Sequence, residues 1–337
     1  MKRLFSSNLP AWFCCLFLAH ASHAALFAPS DITDSVTRGL RVLRKGTVNY
    51  EDHRACFTCH HQTLPMLAQA TALKHGFKID DALFRQQTRI THDGFKNRKE
   101  KLRAGKGIGG QSMTVGYALW ALHLAEWPSD ETTDAMVDYL LATQRESGRF
   151  YTNKTRPPLE DSPAASAVIA AYYLQQFARG EQKAAARTSV AKALRWLSAY
   201  QPTRQEDLNA RLWGLHLLGA KETSIEKARQ AVLESQREDG GWAQLPDMES
   251  DAYATGQALW MLQETGFPTS DPAYQRGAAY LLRTQLNDGS WFVKTRSRAF
   301  QTQFESGFPH GRDQFISICG ASWAVAALAP TAASEIR

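Results

Sequence analysis

The sequence predicts an all-α protein folded as a single (α/α)6 toroid, a closed ring of six helical hairpins. Three observations carry that expectation. Apolar residues recur at helical spacing along the chain, and no run alternates apolar and polar residues as a half-buried strand does. Four segments, 135–144, 190–201, 228–236 and 277–285, end in Gln and run into a Gly or Pro turn. Gln236 and Gln285 are 49 residues apart and Gln144 and Gln236 are 92 apart, a period near 47 that belongs to helical-pair repeats.

The elements follow in order. Lys2 and Arg3 precede an apolar run, 11–19, that is too short to span a bilayer, and Ser22-His23-Ala24 offers small residues for cleavage. A signal peptide over 1–24 is expected, with no Cys at a lipoprotein-type cleavage point. The mature chain, 25–337, is then one domain with no transmembrane segment, exported to the periplasm or beyond. Cleavage removes Cys14 and Cys15 and lowers the formal charge from +6 to +4. Ile32, Val36, Leu40 and Leu43 mark a first outer helix, and 64–73 a first inner one. A second outer helix over 79–102 feeds an inner segment at 112–125. The remaining inner helices, rich in Ala and Gly, are 163–175, 208–218, 252–263 and 315–328, each preceded by one of the Gln-ending outer helices. Six pairs close a ring and need no capping repeat. An open solenoid, the alternative, needs polar terminal repeats. The basic run 96–106 reads as a solvated helix end and its loop, so no nucleic-acid partner is expected.

Chemistry concentrates at Cys56-Phe57-Thr58-Cys59-His60, the attachment pattern of c-type haem. In that pattern the two thiols join the haem vinyl groups and the His, here His60, ligates the iron on the proximal side. One motif implies one covalent haem c, and export supplies the compartment its attachment requires. A redox role follows, with a partner protein or a small apolar ligand in the central cavity. Three other readings stay open. Zinc would use His53, Cys56, Cys59 and His60 or His61. A Cys56–Cys59 disulfide suits an oxidising compartment. The Cys59-to-Gln62 spacing also suits an internal thioester. Cys319, in an apolar helix, reads as a buried core thiol.

If all inner helices run parallel, every outer-to-inner turn lies on one rim. That rim gathers Cys56, Cys59, His60, Met113, Asp251, His310 and Asp313. His310 is the candidate distal iron ligand or proton donor, and Asp313 and Asp251 are weaker catalytic candidates. Met66 and His61 follow His60 too closely to reach the opposite haem face. His61-Gln62 fits a pocket lining or a helix cap. Asp251 and the Glu160-Asp161 pair also stand where N-caps stand.

The turns Gln236-Arg237-Glu238-Asp239-Gly240-Gly241-Trp242 and Gln285-Leu286-Asn287-Asp288-Gly289-Ser290-Trp291 resemble the Gln–Trp repeats of squalene–hopene cyclases. In such a turn the Gln amide can satisfy carbonyls at its own helix end, and the Trp packs on the next helix. The stretch 251–259 and Ser306-Gly307-Phe308-Pro309 fit the C-terminal half of the same family. The resemblance covers roughly 225–330, with Gln144 and Gln201 as degenerate copies upstream. It implies the terpenoid cyclase/prenyltransferase toroid and an isoprenoid-like apolar ligand. It does not supply the chemistry, because the family's acidic Asp-x-Asp-Asp cluster is missing and the chain has length for one toroid where the cyclases use two. Protein prenyltransferase β subunits, a related fold, hold zinc with Asp, Cys and His. Asp313, Cys319 and His310 fall near one helix start without that spacing. Complement-type thioester domains, also toroids, carry Gly-Glu where this chain has His60-His61. The leading expectation is an exported c-type haem protein in electron transfer or haem-dependent redox chemistry. A non-redox scaffold holding zinc or a disulfide, and a diverged cyclase-like enzyme, are the alternatives.

Overall fold

A computed structural model describes residues 27–53, 57–152, 156–298 and 302–332, so the expected signal peptide and Cys56 lie outside the described residues. Helices α1 (Pro29–His53) and α2 (Leu64–Lys74) form the first outer–inner pair. Helix α3 (Asp81–Lys96) and the short α4 (Lys99–Arg103) lead to the inner α5 (Gln111–Leu124). Four more pairs follow: α6 (Glu131–Thr143) with α7 (Pro163–Phe177), and α8 (Gln182–Ala199) with α9 (Gln205–Leu217). Then come α10 (Glu222–Glu234) with α11 (Ala252–Glu264), and α12 (Pro272–Thr284) with α13 (Gln314–Ala332). No strand occurs among the described residues. Each inner helix packs on the next, and α13 packs on both α11 and α2, which closes the ring as an (α/α)6 toroid. The outer helix expected over 79–102 is broken at Asn97 and Arg98. Asn97 leaves the helical conformation, and the Arg98 N–H turns back to the Phe95 carbonyl.

Composition sorts the layers. Outer α1 buries a stripe, including Ile32, Val36 and Leu43, and leaves its other face wet. Inner α7 buries eleven of its fifteen residues, which only small side chains allow at this spacing. The stretch Gly311–Ala332 is long and apolar enough to cross a membrane, yet 83% of its apolar window is buried inside the ring.

The Gln turns prove to be staples between neighbouring outer helices. Gln144 Nε2 donates to the Gly148 carbonyl of its own turn and to Ser189 on α8. Gln236 donates to Gly240 and to Ala273 on α12, and Gln285 to Gly289 and to Ser35 on α1. The last staple ties the end of the ring to its beginning. Gly148, Gly240 and Gly289 all have φ near +90° (91°, 86° and 90°). At each, an added Cβ would come within 2.6 Å of the carbonyl oxygen of Lys192, Arg276 or Arg38 on the stapled helix. Trp242 and Trp291 donate to Val232 and Leu281, each bonding back to the outer helix that precedes it. Gln201, the degenerate copy, reaches only Ala199 in its own turn.

The axis of the ring is filled. Trp120 on α5 lies with its centroid 5.2 Å from Trp213, 6.1 Å from Trp260 and 6.1 Å from Trp323, and 5.6 Å from Tyr173. Five inner helices thus meet through aromatic faces, all nearly inaccessible. Open space lies instead on the rim where outer helices turn into inner ones.

Candidate functional site

That rim holds a pocket of about 940 Å3 of empty space, its open mouth included. Its walls come from the end of α1, the π-helical turn Cys59–Thr63, the connection before α7 and the connection before α13. Convergence of these connections on one face is what parallel inner helices dictate. Apolar surface comes from Leu159, Phe304, Phe315 and Ile316, and three guanidinium groups, Arg156, Arg298 and Arg312, join His60 there.

The turn that carries His60 is built tightly. Gln62 Oε1 accepts the Thr58 N–H at 2.7 Å, which fixes the start of the turn. Tyr50 stacks on His61 at 4.6 Å and meets the His60 ring edge-on, and Phe315 packs against both imidazoles. Nδ1 of His60 and Nδ1 of His61 share a hydrogen bond of 2.5 Å. His60 is also one of the residues that wall the pocket. Burial, with the Arg156 charge second, lowers the His60 pKa to about 3. A neutral imidazole held through one nitrogen is the form that binds a metal through the other.

Cys59 points elsewhere. Its thiol lies 3.7 Å from Oε1 of Glu160, and Glu160 pairs with Arg156 on the pocket wall at 3.1 Å. Burial pushes the thiol pKa up, with the Glu160 charge adding to it. Among the described residues Cys59 is a free thiol. Among the described residues no group of three His, Cys, Asp or Glu side chains is placed to hold a metal: His53 packs on Phe304 while Cys59 faces Glu160. The Gln62 amide oxygen is engaged by Thr58, away from the Cys59 sulfur. Cys319 is buried in α13, where its thiol meets the Phe315 carbonyl at 3.2 Å.

The other rim candidates take separate places. His310 adopts φ +86°, bonds Ser290 Oγ through Nε2 at 2.8 Å and packs on Phe292 and Phe308. It is not among the residues that wall the His60 pocket. Changing His310 to Ala is therefore expected to leave the optical spectrum of any haem bound at His60 unchanged; a changed spin state would bring His310 back as a ligand. Asp313 accepts the Thr295 N–H at 2.7 Å and so fastens a pocket wall. Asp251 caps α11 through the Ala254 N–H, takes a hydrogen bond from Gln244, and is raised to about 6 by burial. Met113 is buried in α5, and Met66 in α2.

A second group escaped the sequence reading. Glu206, on the first turn of α9, is 5% exposed, and its Oε2 has no hydrogen-bond partner. Burial, reinforced by the Asp207 and Asp161 charges, raises its pKa to about 8, and the polar groups of Gln257 and Tyr253 beside it lower it only in part. Asp207, next in sequence, is spoken for by Arg204 and by Ser162. Arg204 also binds Asp161 at 2.6 Å, so it is shared between two aspartates. Glu206 is left as a neutral acid beside the Tyr253 hydroxyl. An acidic pair opening an otherwise Leu-rich inner helix was the available signal.

Comparison with known proteins gives a fold. No family model matches the chain. A squalene–hopene cyclase of Schizosaccharomyces japonicus is 27% identical over 95 residues, 22% of this chain and 14% of that enzyme's length. The type II terpene cyclase MstE from Scytonema superimposes with a TM-score of 0.60 at 15% identity, over 91% of this chain and 99% of that one. A glycosidase structure matches equally well, with a TM-score of 0.60 at 11% identity over 90% and 97% of the two chains. The chain has a terpene-cyclase-like toroid fold. That scaffold also carries glycosidase chemistry, so activity must be argued from sites.

Proposed function

We propose that this protein is an exported c-type haem protein built on a terpene-cyclase-like toroid, with the rim pocket as its haem site. One observation carries the reading: His60, directly after the Cys-x2-Cys pair and kept neutral by burial, lines an apolar pocket edged by three arginines. Those groups suit a flat apolar molecule bearing carboxylates and an iron that wants nitrogen. Cys56 and Cys59 would form the thioethers and His60 would be the proximal ligand. When bound, haem supplies a one-electron couple. The chain's own part is to fix the His60 ring through His61, Tyr50 and Phe315, and to keep water from its apolar side. Cys59 must turn from Glu160 toward the pocket for this, and its burial beside Glu160 holds it protonated until then.

Expression with a haem-maturation system tests the proposal. One covalent haem per chain is expected in a reduced pyridine spectrum, and none in the Cys56→Ala/Cys59→Ala variant. Stoichiometric zinc with no covalent band would replace the reading with a structural metal.

Glu206 supports a second reading, a diverged cyclase-like enzyme. A carboxyl kept neutral by burial has the proton an alkene would take, with the Tyr253 ring beside it, although the filled axis must open for a substrate to reach it. MstE has been crystallised with geranylgeranyl dihydroxybenzoate as substrate, which makes a linear polyprenyl arene the probe. Cyclised product with the wild-type chain and none with Glu206→Gln would favour this reading.

A further inference from the structure

Of the three arginines of the rim pocket, one, Arg156, pairs with a carboxylate, Glu160. No Asp or Glu stands among the described residues that wall the pocket, although the neighbouring connections are rich in both. Arg298 and Arg312 form no ion pair among the described residues. Their neighbours behave differently: Arg296 donates to Gln244 at 2.8 Å, and Arg204 binds two aspartates. Both arginines are exposed. Asp313, immediately after Arg312, accepts the Thr295 N–H, which joins the connection carrying Arg298 to the short helical turn Gly311–Asp313. The backbone thus brings two positive side chains to the pocket that Phe304, Phe315 and Leu159 line.

Like charges gathered on an apolar wall repel one another unless an anion joins them, and guanidinium forks suit carboxylates best. We infer that Arg298 and Arg312 bind the two carboxylates of an amphiphilic ligand whose apolar body lies on Phe304, Phe315 and Leu159. Resting on the haem reading, that ligand is haem and the carboxylates are its propionates. The inference assigns the binding side chains and the direction in which the ligand enters: carboxylates stay at the exposed arginines, and the ring edge goes inward toward the Cys-x2-Cys turn.

The test separates this assignment from the reading it rests on. In the Cys56→Ala/Cys59→Ala chain no thioether forms, so ferric haem binding becomes an equilibrium followed by the Soret band. Haem dimethyl ester, with both propionates capped, is titrated beside it. Replacing Arg298 and Arg312 together by Gln is expected to weaken haem binding by roughly 10- to 100-fold, the scale of one to two charge-assisted hydrogen bonds. The ester should bind the parent chain about as weakly as haem binds the arginine variant, and the variant should not weaken it further. Haem binding that is His60-dependent but indifferent to both the arginines and esterification overturns the assignment and leaves the haem reading standing. Failure of haem to bind, or binding unchanged by His60→Ala, overturns both. Circular dichroism and thermal melting of each variant confirm that a loss of binding is not a loss of fold.

Discussion

Glu206→Gln should make the protein more stable at pH 8 than the natural chain, while the two are nearly alike at pH 4.5. The folded Glu206 carboxyl is raised to about 8 from an ordinary 4.5, chiefly by burial. In the unfolded chain it ionises near 4.5, so above that pH the unfolded state gains a solvated charge that the fold refuses. Stability from the neutral carboxyl is complete below about pH 4.5 and is lost as pH rises toward 8. At about 1.4 kcal/mol per pH unit the loss reaches about 3–5 kcal/mol, a large part of a domain's stability. The groups around Glu206 do not cancel it. Asp207 and Asp161 are tied to Arg204, and Tyr117, Tyr253 and Cys319 are all pushed upward by burial. Asp251, raised to about 6, adds a smaller loss of the same sign, which the variant keeps. Urea unfolding at pH 4.5, 6 and 8 measures the difference. Parallel pH curves for the two proteins would show that Glu206 is ionised in the fold.

The ring was legible in the sequence because its determinants are local. Helical period, Asp and Ser caps, and the Gln–Gly–Trp turns each act within a few residues, and their repetition at one period leaves few ways to assemble. Even there the bonds reach further than the sequence shows: each Gln amide serves its own turn and also the next outer helix, and each indole N–H bonds back to the preceding helix. The site was half legible. His60 announced itself through its motif, whereas Arg156, Arg298 and Arg312 lie on separate connections, and only closure of the ring brings them together. The axis was not legible at all. Trp120, Trp213, Trp260 and Trp323 stand at similar depths on four inner helices, but each alone reads as an ordinary core residue. They fill the axis, and the pocket that His60 lines lies at the rim. Glu206 was hidden for a different reason. An acid on a first turn is what the helix dipole favours, and only burial shows that this one has no partner.

Gly256→Val should abolish the fold, and Gly256→Ala should destabilise it by about 3 kcal/mol despite the better helix propensity of Ala. Helices α11 and α13 approach most closely here. A Cβ at Gly256 would lie 2.6 Å from the Ala324 nitrogen and 2.6 Å from the Trp323 carbonyl carbon. Both are backbone atoms of a buried helix, so no rotamer change relieves the overlap and the helices must separate. Separation spreads in two directions. Downward it loosens Trp260 from Trp323, whose rings are 5.3 Å apart. Upward it moves Tyr253, one turn before Gly256, and with it the polar layer around Glu206. Gly109→Ala is the control: no atom lies within 4 Å of the added carbon, and the change should stay within about 0.5 kcal/mol. Denaturant midpoints for the two alanine variants give the comparison, and equal midpoints would mean that the α11–α13 contact yields freely. If the contact is as tight as the distances say, Gly256→Ala should also let water reach Glu206. Its pH-dependent loss of stability should then shrink together with the fold's total stability, joining the closure of the ring to the acid it encloses.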